Sequence, residues 1–114
     1  MSVKLSSRQV GDVSVVDVAG RITLGEGSST LRDALRDMVG KNQKKILLNL
    51  ADVSYIDSSG IGELVSGFTT VTNNGGQLKL LNLTKRVKDL LQITKLYTVF
   101  DVHDDEAAAV RSFA

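Results

Sequence analysis

The feature that most constrains this chain is the almost continuously apolar run Lys45-Ile46-Leu47-Leu48-Asn49-Leu50. A run of this length predicts a strand, and its lack of polar alternation predicts that both faces of the strand are covered. Strands covered on both faces are typical of parallel pairing in sheets that carry helices. The run therefore favours an α/β fold with this segment near the middle of the sheet.

Short apolar or β-branched segments elsewhere in the chain predict the remaining strands. Together with the central run, the predicted strands cover residues 3–9, 13–19, 45–50, 77–81 and 97–102. Gly11-Asp12 separates the first two of them and is a turn signal, so they are predicted to form an antiparallel hairpin. Residues 51–57 are predicted to be a connector.

Apolar residues at helical spacing predict about four helices. These helices are predicted to begin at Ser28 or Ser29, near Ser58, after Thr84, and at Asp104-Asp105-Glu106. Serine and threonine are common N-caps, and acidic residues suit the positive end of the helix dipole. The order ββαβαβαβα predicts one mixed β-sheet covered by these helices, in a single domain that spans residues 1–114.

Composition excludes several classes of protein. The chain has no cysteine and a single histidine, His103, which excludes disulfides, thiolate metal sites and histidine-rich metal centres, and no cofactor is predicted. Fourteen basic and 13 acidic residues leave a net charge of +1, which argues against nucleic acid as a partner. No segment approaches the roughly 18 apolar residues of a membrane span, so membrane insertion is not predicted. The predicted location is cytoplasmic, because the N-terminus lacks an apolar signal core.

The sequence lacks the motifs of common enzymes. No phosphate-binding loop with Gly-Lys-Ser/Thr is present, and neither Gly60-Ile61-Gly62 nor Gly25-Glu26-Gly27 continues to the third glycine of a dinucleotide-binding motif. A nucleophile elbow needs a glycine two residues before its serine, but Ile56 occupies that position before Ser58. A response-regulator receiver would need an acidic pair near Asp57, which the first strand does not supply. A small hydrolase that uses Ser58 and His103 is the least supported hypothesis.

The segment Asp57-Ser58-Ser59-Gly60 begins the second predicted helix. Asp57 or Ser58 as an N-cap, worth about 1 kcal/mol, would explain those residues without any function. Gly60 and Gly62 need another explanation, because each glycine costs about 1 kcal/mol within a helix. They leave the backbone open to a close partner at a helix end that favours anions, such as a phosphate on a nearby serine, although Asp57 would repel that phosphate.

The outer face of the second predicted helix carries small, weakly charged residues, namely Gly62, Glu63, Ser66, Gly67, Thr69, Thr70 and Asn73. Such a face suits the docking of a partner, but it would equally suit coverage by another part of the chain. Lys85, Arg86 and Lys88 at the start of the third predicted helix would steer an acidic partner or form an ordinary solvated face.

The residues from Ile46 to Leu50 and from Asp52 to Gly62 resemble the hallmark of the STAS-domain family, and within it the anti-sigma factor antagonists. That hallmark is a hydrophobic strand followed by an aspartate, a phosphoacceptor serine, a serine or threonine, and Gly-x-Gly. Gly75-Gly76, Leu80-Leu81-Asn82-Leu83 and the segment from Val87 to Leu91 are also similar to the family. The resemblance therefore spans nearly the whole chain and implies a STAS-like fold.

The resemblance implies a partner-switching regulator that is not an enzyme. The unphosphorylated antagonist would bind an anti-sigma factor, which is a GHKL-type serine kinase, and so free the sigma factor. The kinase would phosphorylate Ser58, with Ser59 as the alternative, and a PP2C-type phosphatase would reverse this. The residues expected to bind the partner are Thr23, Asp57, Ser59, Gly60, Gly62, Glu63 and Ser66.

Thr23 departs from the family pattern, which often has an aspartate in this loop; the loop helps to contact the kinase. The departure leaves the identity of the cognate partner open. An alternative function is a STAS scaffold or interaction module of another bacterial signalling or transport system, without regulation by phosphorylation.

Overall fold

A computed structural model describes residues 3–113, which form a five-stranded sheet and four helices. The elements are β1 (Val3–Val10), β2 (Val13–Ile22), α1 (Glu26–Gly40), β3 (Lys45–Ile56), α2 (Ser58–Asn73), β4 (Gln77–Leu81), α3 (Lys85–Ile93), β5 (Val102–His103) and α4 (Glu106–Arg111). The predicted order ββαβαβαβα and the α/β class are confirmed.

The strands lie in the sheet in the order β1-β2-β3-β4-β5, so β3 is the central strand. β1 and β2 form the predicted antiparallel hairpin, and the three remaining pairs are parallel. Gly11 in the hairpin turn has φ of 63°, a conformation that glycine adopts without a steric cost. Ile46, Leu47 and Leu48 are fully buried, which confirms the prediction of a central strand covered on both faces.

The two faces of the sheet have separate cores. Helices α1, α2 and α3 cover the larger core, to which β3 contributes Ile46 and Leu48. Helix α4 covers a smaller core that contains Leu47 of β3 and Ala109. Because successive residues of a strand point to opposite faces, this two-sided cover explains why the sequence of β3 does not alternate.

The prediction that residues 51–57 form a connector is wrong, because β3 continues to Ile56. β2 is also longer than predicted, and Ile22 at its end pairs with Ile56. Val53 and Ile56 are buried in the larger core, which stabilises the extension by removing apolar surface from water. The consequence for the site is that β3 ends directly at Asp57 and Ser58.

Two other predicted boundaries are corrected by tertiary contacts. Helix α1 begins at Glu26, and Ser28 is not its cap but a buried residue whose hydroxyl donates to the Thr23 carbonyl at 2.8 Å. The strand predicted over residues 97–102 is confined to Val102–His103, because the chain turns before it and Phe100 packs against the helical layer. Helix α4 begins at Glu106 after its cap Asp105, within the segment predicted to start it. Among residues 3–113, no helix has both the length and the hydropathy needed to cross a membrane.

An ion-pair network on the face that α4 covers predicts loss of stability in acid. Arg8 donates to Asp17 at 2.8 Å and to Glu106 of α4 at 2.6 Å. These hydrogen bonds from Arg8 lower the pKa of both carboxyl groups. A group whose pKa is lower in the folded protein stabilises it above the unfolded pKa and loses that contribution as the pH falls. We therefore expect the free energy of unfolding to fall below about pH 4.

Arg8→Ala is expected to flatten this acid dependence and to cost about 1 kcal/mol or less at pH 7, since all three side chains are partly exposed. Urea unfolding at neutral and acidic pH measures both effects. Arg36→Ala is the matched control, because Arg36 is exposed on α1 and forms no ion pair with the described residues. A decline in Arg8→Ala as steep as in the wild type would contradict the assignment.

Candidate functional site

Asp57 joins two segments at the carboxyl end of β3. Its Oδ1 accepts a hydrogen bond from the Gly60 N–H at 2.9 Å, which caps α2 as predicted. Its Oδ2 accepts from the Leu24 N–H at 3.3 Å, and its own N–H donates to the Ile22 carbonyl at 3.4 Å. One carboxylate therefore holds both the first turn of α2 and the loop between β2 and α1.

Ser58 and Ser59 follow this cap and differ in exposure. Ser58 is exposed, whereas Ser59 is half-buried. Neither hydroxyl forms a hydrogen bond to another group in the part of the chain that the structure describes. The hydroxyl of Ser58 is therefore accessible and is not engaged in holding the fold, a difference between the two serines that the sequence does not reveal.

Gly60 packs against the protein itself, whereas the sequence predicted that its backbone is open to a partner. The residue is buried, and a Cβ atom there would overlap the Ile22 carbonyl oxygen and the Ile56 side chain. The close approach that requires glycine at this position therefore comes from the chain itself, and the expectation of bare backbone at Gly60 is corrected. Gly62 differs, because it is exposed and a Cβ atom there would meet no neighbour within 4 Å.

The sequence left open whether the outer face of α2 docks a partner or is covered by another part of the chain. The structure shows that part of this face is covered and part is exposed. Gly67 is buried against Leu35 of α1, and Glu63 forms an ion pair with Arg32 of α1 at 3.2 Å. Helix α1 therefore covers one side of this face. The exposed residues of this face are Gly62, Ser66, Thr69 and Asn73.

The loop between β2 and α1 lies beside the cap and is held from both ends. The Thr23 carbonyl accepts from the Ser28 N–H at 3.0 Å and from its hydroxyl, while Asp57 accepts from the Leu24 N–H. Thr23 itself is half-buried. The neighbouring residue Leu24 is 80% exposed.

Tyr55, two residues before Asp57, contacts two arginine side chains, and this cluster was not predicted from the sequence. The guanidinium carbon of Arg21 lies 5.0 Å from the centre of its ring, and that of Arg86 lies 4.2 Å from it. The only sequence signal was the basic start of α3, which includes Arg86. Arg21 and Tyr55 were missed because their proximity follows from the pairing of Arg21 with Tyr55 in the sheet.

His103 has contacts that do not support a hydrolase with Ser58. Its Nε2 lies 3.1 Å from Asp101 Oδ2 and 3.4 Å from Ser112 Oγ. It belongs to β5, which β4 separates from the strand that leads to Ser58. A catalytic triad uses the two ring nitrogens for different partners, whereas here a single nitrogen meets both. Within residues 3–113, no three acidic or histidine side chains converge as a metal site would require.

Comparison with known proteins identifies the family. Residues 4–109 match the STAS domain. The chain belongs to the STAS-domain family. The anti-sigma-B factor antagonist of Bacillus subtilis (strain 168) is 33% identical to this STAS domain over 102 residues, which cover 90% of this chain and 92% of the relative. The family predicted from the sequence is confirmed.

Solved structures share the fold of this STAS domain. An anti-sigma factor antagonist from Mycobacterium paratuberculosis superposes with a TM-score of 0.86 at 19% identity, over 98% of this chain and 94% of the other. The Bacillus cell fate determinant SpoIIAA in its phosphorylated form superposes with a TM-score of 0.74 at 18% identity, over 95% and 97% of the two chains. The relatives are named as antagonists of regulatory factors and not for a reaction, which agrees with the prediction of a non-enzymatic regulator.

Proposed function

We propose that this STAS domain is an anti-sigma factor antagonist switched by phosphorylation of Ser58. In the unphosphorylated form it binds an anti-sigma factor that is a GHKL-type serine kinase, and the sigma factor is released. The kinase then phosphorylates Ser58, the complex dissociates, and a PP2C-type phosphatase restores the binding form. Its place of action is the cytoplasm.

The observation that carries the proposal is the exposed, unengaged hydroxyl of Ser58 at the capped start of α2. A kinase needs access to its acceptor hydroxyl, and an acceptor on a fixed backbone is already partly positioned for phosphoryl transfer. Asp57 fixes that backbone through its bonds to Gly60 and Leu24. The name of the related Bacillus subtilis protein supports the antagonist role, and SpoIIAA, a protein of the same fold, has been solved in a phosphorylated form.

The chemistry is the transfer of the γ-phosphoryl group of ATP. Ser58 Oγ forms the new bond to phosphorus, the bond to ADP breaks, and a base of the kinase accepts the hydroxyl proton. The STAS domain supplies only the acceptor and the surface that docks the kinase. The surface expected to do so comprises Thr23, Asp57, Ser59, Gly60, Gly62, Glu63 and Ser66, of which Gly62 and Ser66 are exposed and Gly60 acts through its packing.

Phosphorylation would change the charge of this surface without refolding the domain. A phosphate adds about −1.5 to −2 charges and sits next to Asp57, but it also lies at the positive end of α2. Since the Ser58 hydroxyl bonds to no other described group, the phosphate disrupts no internal contact. We therefore expect phosphorylation to change the free energy of binding to the partner more than the free energy of unfolding.

The test is labelling of the purified protein by the GHKL-type serine kinases of its own organism, with ATP labelled at the γ-phosphate. We expect a single phosphate in the peptide that contains Ser58, and none in Ser58→Ala. Ser59→Ala is the matched control and should be labelled like the wild type. Labelling that survives in Ser58→Ala and disappears in Ser59→Ala would move the site, and no labelling by any kinase would favour the unregulated STAS scaffold.

A further inference from the structure

Arg21, Tyr55 and Arg86 form a small cluster, which we call the basic stack, at the end of the sheet that carries Ser58. The guanidinium carbons of both arginines lie over the same tyrosine ring, at 5.0 and 4.2 Å from its centre. Both arginines are exposed and the tyrosine is half-buried. The ring therefore holds two cations at the surface.

Neither cation of the basic stack is paired with a carboxylate among residues 3–113. Arg8 and Arg32 form ion pairs with carboxylates, whereas Arg21 and Arg86 form none with any group among residues 3–113. Each cation–π contact is worth about 0.5–1 kcal/mol at an exposed site, and the two like charges that share one ring repel each other. An anion that binds both would relieve this repulsion.

The donors of these guanidinium groups suit a carboxylate as that anion. A guanidinium group carries its N–H donors at the edge of its plane, in a fixed fork. A carboxylate accepts two such donors side by side. Two arginines presented on one ring thus suit acidic side chains on a neighbouring protein surface.

Leu24 provides an apolar contact at the same end of the sheet. Its side chain is 80% exposed although its N–H is bonded to Asp57, the residue before Ser58. Arg21 lies three residues before it in the chain, and Tyr55 lies two residues before Asp57. An exposed leucine on a loop that is already fixed loses little further backbone freedom when a partner buries it.

We propose that the kinase partner presents acidic side chains to Arg21 and Arg86 and an apolar pocket to Leu24. This inference rests on the proposed function and specifies the chemistry of the partner's surface. It also extends the switch, since a phosphate on Ser58 would bring a competing anion to the end of the sheet where the arginines bind the partner.

The experiment measures the affinity of the kinase that labels Ser58 for matched variants of the STAS domain. Arg21→Glu and Arg86→Glu are expected to weaken binding roughly tenfold or more, because like charges then face each other. Arg111→Glu, the control on α4, should stay within about twofold, because Arg111 is exposed and α4 covers the face of the sheet opposite to α2. Arg21→Ala and Arg86→Ala should also reduce the salt dependence of binding, which a purely structural role would not do.

The apolar half of the proposal is tested in the same assay. Leu24→Ala is expected to weaken binding roughly tenfold, because the leucine buries in the complex. The control is Ile93→Ala at the far end of α3, where the isoleucine is 76% exposed, and it should bind like the wild type. Thermal unfolding of each variant checks that the fold is intact.

The outcomes separate this inference from the proposed function. If the kinase binds the wild type and labels Ser58, but the Arg21, Arg86 and Leu24 variants bind like their controls, the inference is overturned while the function stands. If no kinase binds the wild type, both are overturned. Recovery of the affinity of Arg21→Glu by a Glu→Lys change on the kinase would directly support the acidic contact.

Discussion

Ser58→Asp is expected to weaken binding of the anti-sigma factor kinase by roughly 30-fold or more. An unpaired charge within an interface costs about 2–5 kcal/mol, and 1.4 kcal/mol corresponds to a factor of ten. Ser58 is exposed beside Asp57, so the variant places two adjacent carboxylates on the docking surface. Stability should change by less than about 0.5 kcal/mol, because the Ser58 hydroxyl holds no contact of the fold. Calorimetric titration and thermal unfolding measure the two quantities.

Two controls isolate the charge and the position. Ser58→Asn has nearly the same size as Ser58→Asp without the charge, and it should retain most of the affinity. Ser59→Asp tests the neighbouring serine, which is half-buried. Binding by Ser58→Asp at wild-type strength would contradict the switch and would favour the scaffold function.

Gly60→Ala and Gly62→Ala are expected to have opposite effects on stability, although the two glycines lie two residues apart in the first turns of α2. The methyl group at position 60 would overlap the backbone carbonyl of Ile22, which cannot move without shifting the end of β2. Overpacking of this kind typically costs about 1–3 kcal/mol. The methyl group at position 62 enters open space, and alanine is better than glycine in a helix by up to about 1 kcal/mol.

Chemical unfolding of the two variants measures this difference, and binding of the kinase supplies a second readout. Gly62→Ala should be more stable than the wild type yet bind the kinase less well, because the exposed backbone at Gly62 belongs to the proposed docking surface. Gly60→Ala should lose both stability and affinity, since it displaces the loop that Asp57 holds. Equal stability of the two variants would refute the packing role of Gly60.

Local sequence chemistry determined the elements and the first turn of the site. The apolar run of β3 predicted cover on both faces, the turn at Gly11 predicted a hairpin, and Asp57 predicted the start of a helix. The structure has all three features. These features depend on residues that are near each other in the chain, and therefore the sequence was enough to predict them. The motif around Ser58 led to the family in the same way, because its residues are contiguous.

Only the tertiary structure decided what each residue of that motif contacts. Gly60 is a glycine because the end of β2 lies against it, and Gly67 packs against the Leu35 side chain of α1. The extension of β3 to Ile56, the exposure of Ser58 relative to Ser59, and the stacking of Arg21 and Arg86 on Tyr55 all depend on segments far apart in sequence. Contacts of that kind follow from the register and packing of the sheet, which local patterns do not encode.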